Sequence, residues 1–245
     1  MPEGPTMVIL KETLAPFKGK KVLAVSGNAK IEKSRMLNQK VVDFKTFGKH
    51  FLICFPSFTI RIHFLLFGSY SVDEQTKADR AVRLKLDFNK GTIYFYTCAI
   101  KLIEEELDEV YDWSVDVLND AWNARKAKLK VLEYSKEMIC DVLLDQDIFA
   151  GVGNIIKNEV LFKTKVQPES RIGAIPSTKL TRIISAARGY SFEFLHWKRK
   201  FVLKKNLKVH GKKACPRCGR LLIKKHTGKK KRRSFFCSNC QVRYR

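Results

Sequence analysis

Two cysteine pairs near the end of the printed sequence restrict its fold more than any other feature. Each pair has the spacing Cys-x-x-Cys, and residues 219–236 separate the two pairs. Two such pairs at this separation are typical of four thiolates around one tetrahedral Zn²⁺. No histidine or carboxylate completes an open coordination position, so we predict that the ion is structural. The predicted ligands are Cys215, Cys218, Cys237 and Cys240.

The segment between the pairs has the pattern of a β-hairpin, with a turn near Thr227-Gly228. Two disulfides or redox chemistry are alternatives, and a reducing compartment disfavours them. The other three cysteines lie among apolar residues and are predicted to be small buried side chains. They are Cys54, Cys98 and Cys140.

The basic residues are concentrated at one end of the chain. The formal net charge is +24, from 48 Lys and Arg against 24 Asp and Glu. Residues 194–245 contain 19 basic and no acidic residues, which leaves 29 basic and 24 acidic residues, a net +5, in the remainder. A field of one sign favours a polyanionic partner, and nucleic acid is the partner we predict. A basic tail that only solubilises the chain or targets a nucleus is the alternative.

The sequence shows no sign of a membrane protein. We find no apolar run near the ~20 residues that a membrane span needs. The first residues, MPEGPTMVIL, lack the basic and apolar regions of a signal peptide. We therefore expect no membrane partner and an intracellular protein, cytoplasmic or nucleoid-associated, or nuclear in a eukaryote.

The first half of the chain has the pattern of one helix followed by many strands. Pro5 suits a first helical turn, and Met7, Leu10 and Leu14 then share one face. From Lys21 to about residue 104, β-branched and aromatic segments alternate with turn residues, among them FTIRIHFLLF and TIYFYTCAIKLI. Strands without intervening helices predict an antiparallel sandwich or barrel.

The second half has a helical pattern. Helices are predicted over Lys157–Phe162, from a start near Ile155, and from Pro176 to about Lys198. The predicted fold class is therefore α+β, with an N-terminal helix and antiparallel β-sandwich, then a helical domain and a zinc hairpin. The predicted domain limits are 1–108, 109–205 and 206–245.

The sequence Gly151-Val-Gly153-Asn154 precedes one predicted helix. Glycines let the backbone approach another group closely, and N–H groups at a helix N-terminus favour a phosphate. Asn154 stands where a helix cap is expected. An ordinary turn with an asparagine cap is the alternative explanation of this pattern.

Three motifs occur together and in order: MPEGP at the start, LLDQDIFAGVGN in the middle and RRSFFCSNCQ at the end. In this order they resemble the formamidopyrimidine-DNA glycosylase / endonuclease VIII family. The resemblance implies a β-sandwich preceded by a helix, a helix–two-turn–helix domain and a zinc hairpin. It also implies a monomer that acts on damaged double- or single-stranded DNA in base excision repair.

The resemblance implies a catalytic role for four residues. Pro2, exposed once Met1 is removed, matches the family's nucleophile, and Glu3 matches its general acid/base. Lys49 matches a lysine that contacts phosphate and assists in opening the sugar. Arg232 matches the arginine that grips the phosphate beside the lesion, with Arg233 as the competing assignment.

The same resemblance implies a set of DNA contacts. Asn154 matches a phosphate-binding asparagine, and His63 resembles a further phosphate contact. The wedge predicted to fill the space left by an extruded base is Leu65, Leu66 and Phe67, although a buried strand is an alternative for this apolar run. Lys157, in the helix after Asn154, completes the predicted DNA contacts.

The sequence favours the endonuclease VIII branch. The Arg-x-Phe pair of the formamidopyrimidine branch is missing from the corresponding stretch, YTCAIKLIEE. We therefore expect a glycosylase/AP lyase that prefers oxidised pyrimidines and nicks DNA by β- and δ-elimination through a Schiff base. A purine-directed (8-oxoguanine or formamidopyrimidine) glycosylase and a non-enzymatic zinc-containing DNA-binding protein are the alternatives. Thr6 departs from the acidic residue that many relatives have, a change that bears on orientation of the amine.

Overall fold

The computed structural model describes residues 2–245 and divides the chain into two compact units. The first unit ends at Tyr111, and the second is Asp112–Arg245. The three domain limits predicted above stay predictions. The predicted removal of Met1 lies outside the described residues.

The first unit begins with the predicted helix. Helix α1 spans Gly4–Leu14, with Pro5 in its first turn and Met7, Leu10 and Leu14 fully buried. Proline is tolerated there because the first N–H groups of a helix have no intrahelical acceptor. A 3₁₀ turn, Ala15–Phe17, follows and ends the helical segment.

Eight strands form two antiparallel sheets in this unit. The first sheet has the order β1-β6-β7-β5 and the second has the order β2-β3-β4-β8. Phe51 of the second sheet and Phe95 of the first are fully buried with ring centroids 6.2 Å apart, so the sheets share one core as a sandwich. The strands are β1 Val22–Ser26, β2 Asp43–Phe47, β3 His50–Cys54, β4 Thr59–His63, β5 Ser69–Val72, β6 Val82–Phe88, β7 Thr92–Tyr96 and β8 Ala99–Ile103.

The antiparallel sandwich was predicted, but the details of four strands were not. FTIRIHFLLF is not one strand, because β4 ends at His63 and a turn follows. TIYFYTCAIKLI splits into β7 and β8, which belong to different sheets and are joined by Thr97-Cys98. Strand β5 was missed because its four residues, SYSV, are all half-buried and lack a strong apolar alternation.

The second unit is mainly helical. Its long helix α6 packs against α3 and α5 around a core that includes Phe149, Ile156 and Ile183. The helices after α1 are α2 Leu107–Val110 (in the first unit), α3 Ala124–Glu133, α4 Ile139–Val142, α5 Asn154–Lys163, α6 Ser177–Arg199 and α7 Leu203–Asn206. The predicted helices correspond to α5 and α6, and α5 begins at Asn154, one residue before the predicted start near Ile155.

The second unit also contains the predicted hairpin. Strands β9 (Ile223–Thr227) and β10 (Arg232–Phe236) pair in antiparallel register, with Arg232 opposite Thr227. Residues 228–231 form the turn, and Gly228 has φ +69°, a conformation that suits glycine. Among the described residues, no helix has the length and apolar character that crossing a membrane would require.

Candidate nucleic-acid interface

The residues before helix α1 are well packed. Pro2 is half-buried, and Glu3 is fully buried in an extended conformation immediately before Gly4. The Thr6 N–H donates to the Glu3 carbonyl at 2.8 Å, so the backbone of this segment is tied to the first helical turn. The structure thus places Pro2 immediately before a carboxyl group that solvent does not reach.

Lys49 lies in the two-residue turn that joins β2 to β3. Phe47 and His50 pair on either side of it, and Gly48 occupies the first central position with φ +53°. Glycine at that position is characteristic of a type II′ hairpin turn, which matches the twist of the flanking strands. The turn therefore holds half-buried Lys49 at the end of a rigid two-stranded ladder.

Two histidines lie beside Lys49. His50 and His63 are cross-strand partners with ring centroids 5.5 Å apart. Burial, then Arg61, His63 and Lys49, lowers the pKa of His50 to about 4. Burial, then Lys49 and Arg61, also lowers the pKa of His63. Both imidazoles are therefore neutral near pH 7.

Tyr111 completes this cluster and was not predicted. Its hydroxyl lies 3.2 Å from His50 Nδ1, and Phe47 packs on its ring with centroids 4.5 Å apart. Burial raises the pKa of Tyr111, so its hydroxyl stays protonated. His50 and Arg61 were missed because the pairing of β3 with β4 brings this part of the sheet together, and Tyr111 was missed because it follows α2, far from both strands in the sequence.

The apolar run after His63 forms an exposed turn rather than a buried strand. Leu65 and Leu66 are about half exposed, and Phe67 is 79% exposed. Phe64 is buried below them, and its carbonyl accepts a bond from the Gly68 N–H at 2.8 Å. A Cβ on residue 68 would overlap the Phe64 backbone, so this tight closure requires glycine. The structure thus presents three apolar side chains on a short, constrained turn.

In the second unit, Asn154 and Arg232 line one pocket of about 300 Å³. Three cationic side chains and two imidazoles surround it, and no carboxylate does. Such a lining is suited to an anion with several oxygen acceptors. The lining residues are Asn154, His210, His226, Lys231, Arg232, Arg233 and Phe235.

Asn154 is not the helix cap that the sequence indicated. Gly153 is the cap residue, and Asn154 is the first residue of α5. Its side chain is buried, and Nδ2 donates to the Arg233 carbonyl at 2.9 Å. Its Oδ1 has no hydrogen-bond partner among the described residues. Tertiary contact with the hairpin, rather than local capping, therefore sets the direction of this amide.

The structure corrects the role predicted for Lys157. Its side chain is 0% exposed, and Nζ donates to Ser234 Oγ at 2.9 Å. Ser234 Oγ is in turn 2.6 Å from Thr227 Oγ1, which lies on the opposite strand of the hairpin. Because the ammonium group is enclosed beneath the hairpin, it is placed to support β10 rather than to contact DNA.

Two buried carboxylates, which were not predicted, hold separate parts of the C-terminal segment. Asp141 accepts the N–H groups of Lys229 and Lys230 at 2.8 and 3.0 Å, in the hairpin turn. Glu159 accepts three consecutive N–H groups from residues 208–210. These acceptors attach the hairpin turn and residues 208–210 to the helical core.

The four C-terminal cysteines converge as predicted. Their Sγ atoms all lie within 4.8 Å of one another. The Cys218–Cys237 and Cys215–Cys240 pairs are separated by 3.5 and 3.9 Å. Tetrahedral coordination with Zn–S bonds of about 2.3 Å requires sulfur separations of roughly 3.8 Å. The set therefore has the donor chemistry and spacing to hold a metal ion.

Comparison with known families identifies two matching regions. Residues 1–101 match the Formamidopyrimidine-DNA glycosylase N-terminal domain, and residues 113–189 match the Formamidopyrimidine-DNA glycosylase H2TH domain. Together these regions include most of the chain and correspond to the β-sandwich and the helical part.

Curated relatives are named for both branches. Endonuclease 8-like 3 of Xenopus laevis is 27% identical over 208 residues, which are 80% of this chain and 34% of that protein. Endonuclease 8 2 of Mycobacterium tuberculosis is 27% identical, covering 79% of this chain and 80% of that protein. The formamidopyrimidine-DNA glycosylase of Lactobacillus gasseri is 29% identical over the full length of both. The chain therefore spans about a third of the length of the Endonuclease 8-like 3 relatives.

Solved structures share the fold. A viral DNA glycosylase superposes with a TM-score of 0.84 at 21% identity, covering 98% of this chain and 100% of that one. Lactococcus lactis formamidopyrimidine-DNA glycosylase, bound to DNA with an AP site, superposes with a TM-score of 0.87 at 19% identity and the same coverage. At these identities the likeness concerns the fold.

Proposed function

The chain belongs to the formamidopyrimidine-DNA glycosylase family, and from this membership we propose that it is a bifunctional DNA glycosylase and AP lyase of base excision repair. Pro2 is the proposed nucleophile, as the amine released when Met1 is removed. An α-amino group has a pKa of about 7.7–8, so a useful fraction is neutral near pH 7. A lysine side chain, at about 10.4, is far more protonated.

The proposed reaction first releases the damaged base and then cleaves the DNA strand. The Pro2 nitrogen attacks C1′, the bond from C1′ to the damaged base breaks, and the base leaves with a proton. Opening of the sugar gives an iminium cation, which draws electrons from C2′ and makes a C2′ proton removable. Loss of that proton expels the 3′ phosphate, and a second elimination expels the 5′ phosphate. Water then releases the sugar fragment from Pro2.

Glu3 and Lys49 have supporting roles in this proposal. Glu3 follows Pro2 directly and is buried, so it is suited to donating a proton to the departing base or the sugar oxygen. Lys49 projects from a turn that a glycine and a paired ladder hold in place. We assign it a contact with DNA phosphate and assistance in opening the sugar.

The cationic pocket in the second unit is the observation that supports this proposal best. Arg232 and Asn154 line it together, although they are far apart in the sequence. The pocket has no carboxylate. Asn154 Nδ2 uses one N–H for the Arg233 carbonyl, and its second N–H could donate to a phosphate oxygen. We assign this pocket to a DNA phosphate, with Arg232 as the principal donor.

The exposed turn supports the proposed extrusion of the base. Leu65, Leu66 and Phe67 provide an apolar wedge that could replace the lesion in the base stack. The stretch that would hold an Arg-x-Phe pair contains the short Thr97-Cys98 link between β7 and β8 instead. We therefore propose oxidised pyrimidines as preferred substrates. Several relatives carry the name Endonuclease 8-like, which agrees with the endonuclease VIII branch.

Zn²⁺ is the ion that we propose for the cysteine cluster. Four thiolates leave no coordination position for a substrate, so the ion would serve to stabilise the hairpin that bears Arg232. The thiolates of Cys215 and Cys218 would bind from one loop, and those of Cys237 and Cys240 from the other.

Borohydride trapping tests the proposal. Protein whose Met1 removal has been verified by mass spectrometry is incubated with duplexes that contain thymine glycol, 5-hydroxyuracil, 8-oxoguanine or an abasic site. Borohydride reduces the iminium to a stable amine, and we expect cross-linking that peptide mapping assigns to Pro2. Protein that retains Met1 is the matched control and should give no cross-link.

Three outcomes separate the alternatives. Trapping that favours oxidised pyrimidines supports the proposal, whereas trapping that favours 8-oxoguanine indicates a purine-directed enzyme. Binding without a cross-link would show a non-enzymatic DNA-binding protein. A cross-link that maps to a lysine would overturn the assignment of Pro2.

A further inference from the structure

A single aromatic side chain stands out in the second unit because solvent surrounds it. Phe201 follows the end of helix α6 and is 96% exposed. Its backbone has φ +57°, the left-handed conformation that usually favours glycine after a helix. The Val202 N–H donates to the Trp197 carbonyl at 2.9 Å, which closes the helix end around this residue. Phe201 thus contributes neither buried area nor a favourable backbone preference to the fold.

The surroundings of Phe201 are strongly basic. Lys200 precedes it, Lys204 and Lys205 follow within four residues, and all three are exposed. The whole segment 194–213 contains eight Lys and Arg and no Asp or Glu. We define the Phe201 surface as Lys200, Phe201, Lys204 and Lys205. An aromatic ring among lysines is the pattern with which proteins bind single strands, since bases stack on rings and phosphates pair with cations.

A second aromatic feature adjoins this segment in the chain. Trp197 and Asn206, on either side of Phe201 in sequence, both line a pocket of about 540 Å³. Phe162 and Tyr190 also line it, and most of its surface is apolar. The Phe162 and Tyr190 rings are buried, and Glu159 and Glu193 also line the pocket, so it offers no open stacking surface and Phe201 is the accessible ring of this region. The pocket shares no lining residue with the cationic pocket assigned above to a DNA phosphate.

We propose that the Phe201 surface is a second nucleic-acid site, which binds undamaged single-stranded DNA by stacking an unpaired base on Phe201 while the flanking lysines contact its phosphates. A lipid membrane fits less well, because Phe201 is the one prominently exposed apolar residue in this segment and α7 has only four residues. The proposal does not depend on cleavage chemistry.

Fluorescence anisotropy with a labelled, lesion-free oligo-dT tests this site. Stacking is worth about 1–3 kcal/mol per base, so Phe201→Ala should weaken binding by about 5- to 150-fold. Phe201→Trp should restore it. Phe201→Gly should weaken oligo-dT binding while leaving the melting temperature equal or higher, because glycine accepts the left-handed backbone. Leu129→Ala is the matched control, since Leu129 is exposed on a lysine-rich helix but has no ring, and it should change binding less than twofold.

Further probes identify what the surface recognises. Phe201→Ala should not alter binding to inorganic polyphosphate, which has no bases, nor borohydride trapping on a duplex with an abasic site. Equal oligo-dT affinities of the wild type and Phe201→Ala would overturn the proposal. So would a loss confined to phosphatidylserine vesicles, which would indicate a lipid partner. A parallel loss of duplex trapping would place Phe201 in the lesion site instead.

Discussion

The attachment of the hairpin to Asp141 can be tested quantitatively. The carboxylate is 8% exposed and accepts two turn N–H groups at 2.8 and 3.0 Å. Hydrogen bonds to a charged group contribute roughly 1.5–3 kcal/mol each, and the turn is partly open to water, so the lower value applies. We expect Asp141→Ala to reduce the free energy of unfolding of the second unit by about 3 kcal/mol. Asp141→Asn, which keeps one acceptor, should cost about half of that.

Tryptophan fluorescence measures this effect selectively. All three tryptophans, Trp113, Trp122 and Trp197, lie in the second unit. With a urea dependence of about 1.5 kcal/mol per M, a loss of 3 kcal/mol lowers the midpoint by about 2 M. Duplex affinity should fall as well, because the same turn leads into Arg232.

Glu137 offers a matched control on the same turn. It pairs with Lys229, whose side chain is 78% exposed, so solvent screens the pair and Glu137→Gln should cost far less stability than Asp141→Ala. Equal midpoints for Asp141→Ala and the wild type would refute the assigned role. Equal shifts for Asp141→Ala and Glu137→Gln would show that general electrostatics, rather than the two backbone bonds, holds the turn.

Three further predictions concern the pocket, the metal and pH. In anisotropy titrations, Arg232→Lys should weaken binding of a duplex with an abasic-site analogue about tenfold, because lysine lacks the bidentate fork of arginine. Arg233→Lys should change the affinity little. A larger loss for Arg233→Lys than for Arg232→Lys would transfer the role to Arg233. A strong chelator should release one Zn²⁺ per chain, measured by metal analysis, and lower duplex affinity; unchanged affinity after complete release would exclude the structural role. The pKa of His50 is about 4 when folded and 6.5 ordinarily, so the unfolded chain binds more protons between these values. The contribution of neutral, buried His50 to stability is therefore fully present above about pH 6.5 and is lost as the pH falls towards 4. In circular-dichroism unfolding, His50→Gln should flatten this dependence.

Much of the secondary structure could be predicted from local patterns. The first helix follows from the apolar spacing of Met7, Leu10 and Leu14, and the hairpin turn follows from Thr227-Gly228 between two strands. These predictions held because the signals are short-range: side chains three or four residues apart share a helix face wherever the helix packs.

Burial of other residues was decided by structure that local patterns do not report. Leu65, Leu66 and Phe67 were predicted as a wedge, with a buried strand as the alternative, and the tight closure from Phe64 to Gly68 turns them outward. Lys157 has the composition of a surface cation, yet the hairpin covers it. Neither outcome can be predicted from neighbouring residues. The hairpin that covers Lys157 lies far away in the chain, and the turn after His63 has no strong sequence pattern.

The sequence by itself determined the family, the cysteine set, the mixed α and β architecture and the one-sided charge, because each depends on residue type and order. Tertiary structure alone decided which groups meet. It pairs His50 with His63 beside Lys49, and it brings Asn154 to the Arg232 pocket. It also places Asp141 under the hairpin turn. Strand register and helix packing set these encounters, and both depend on contacts across the whole unit rather than on any local pattern.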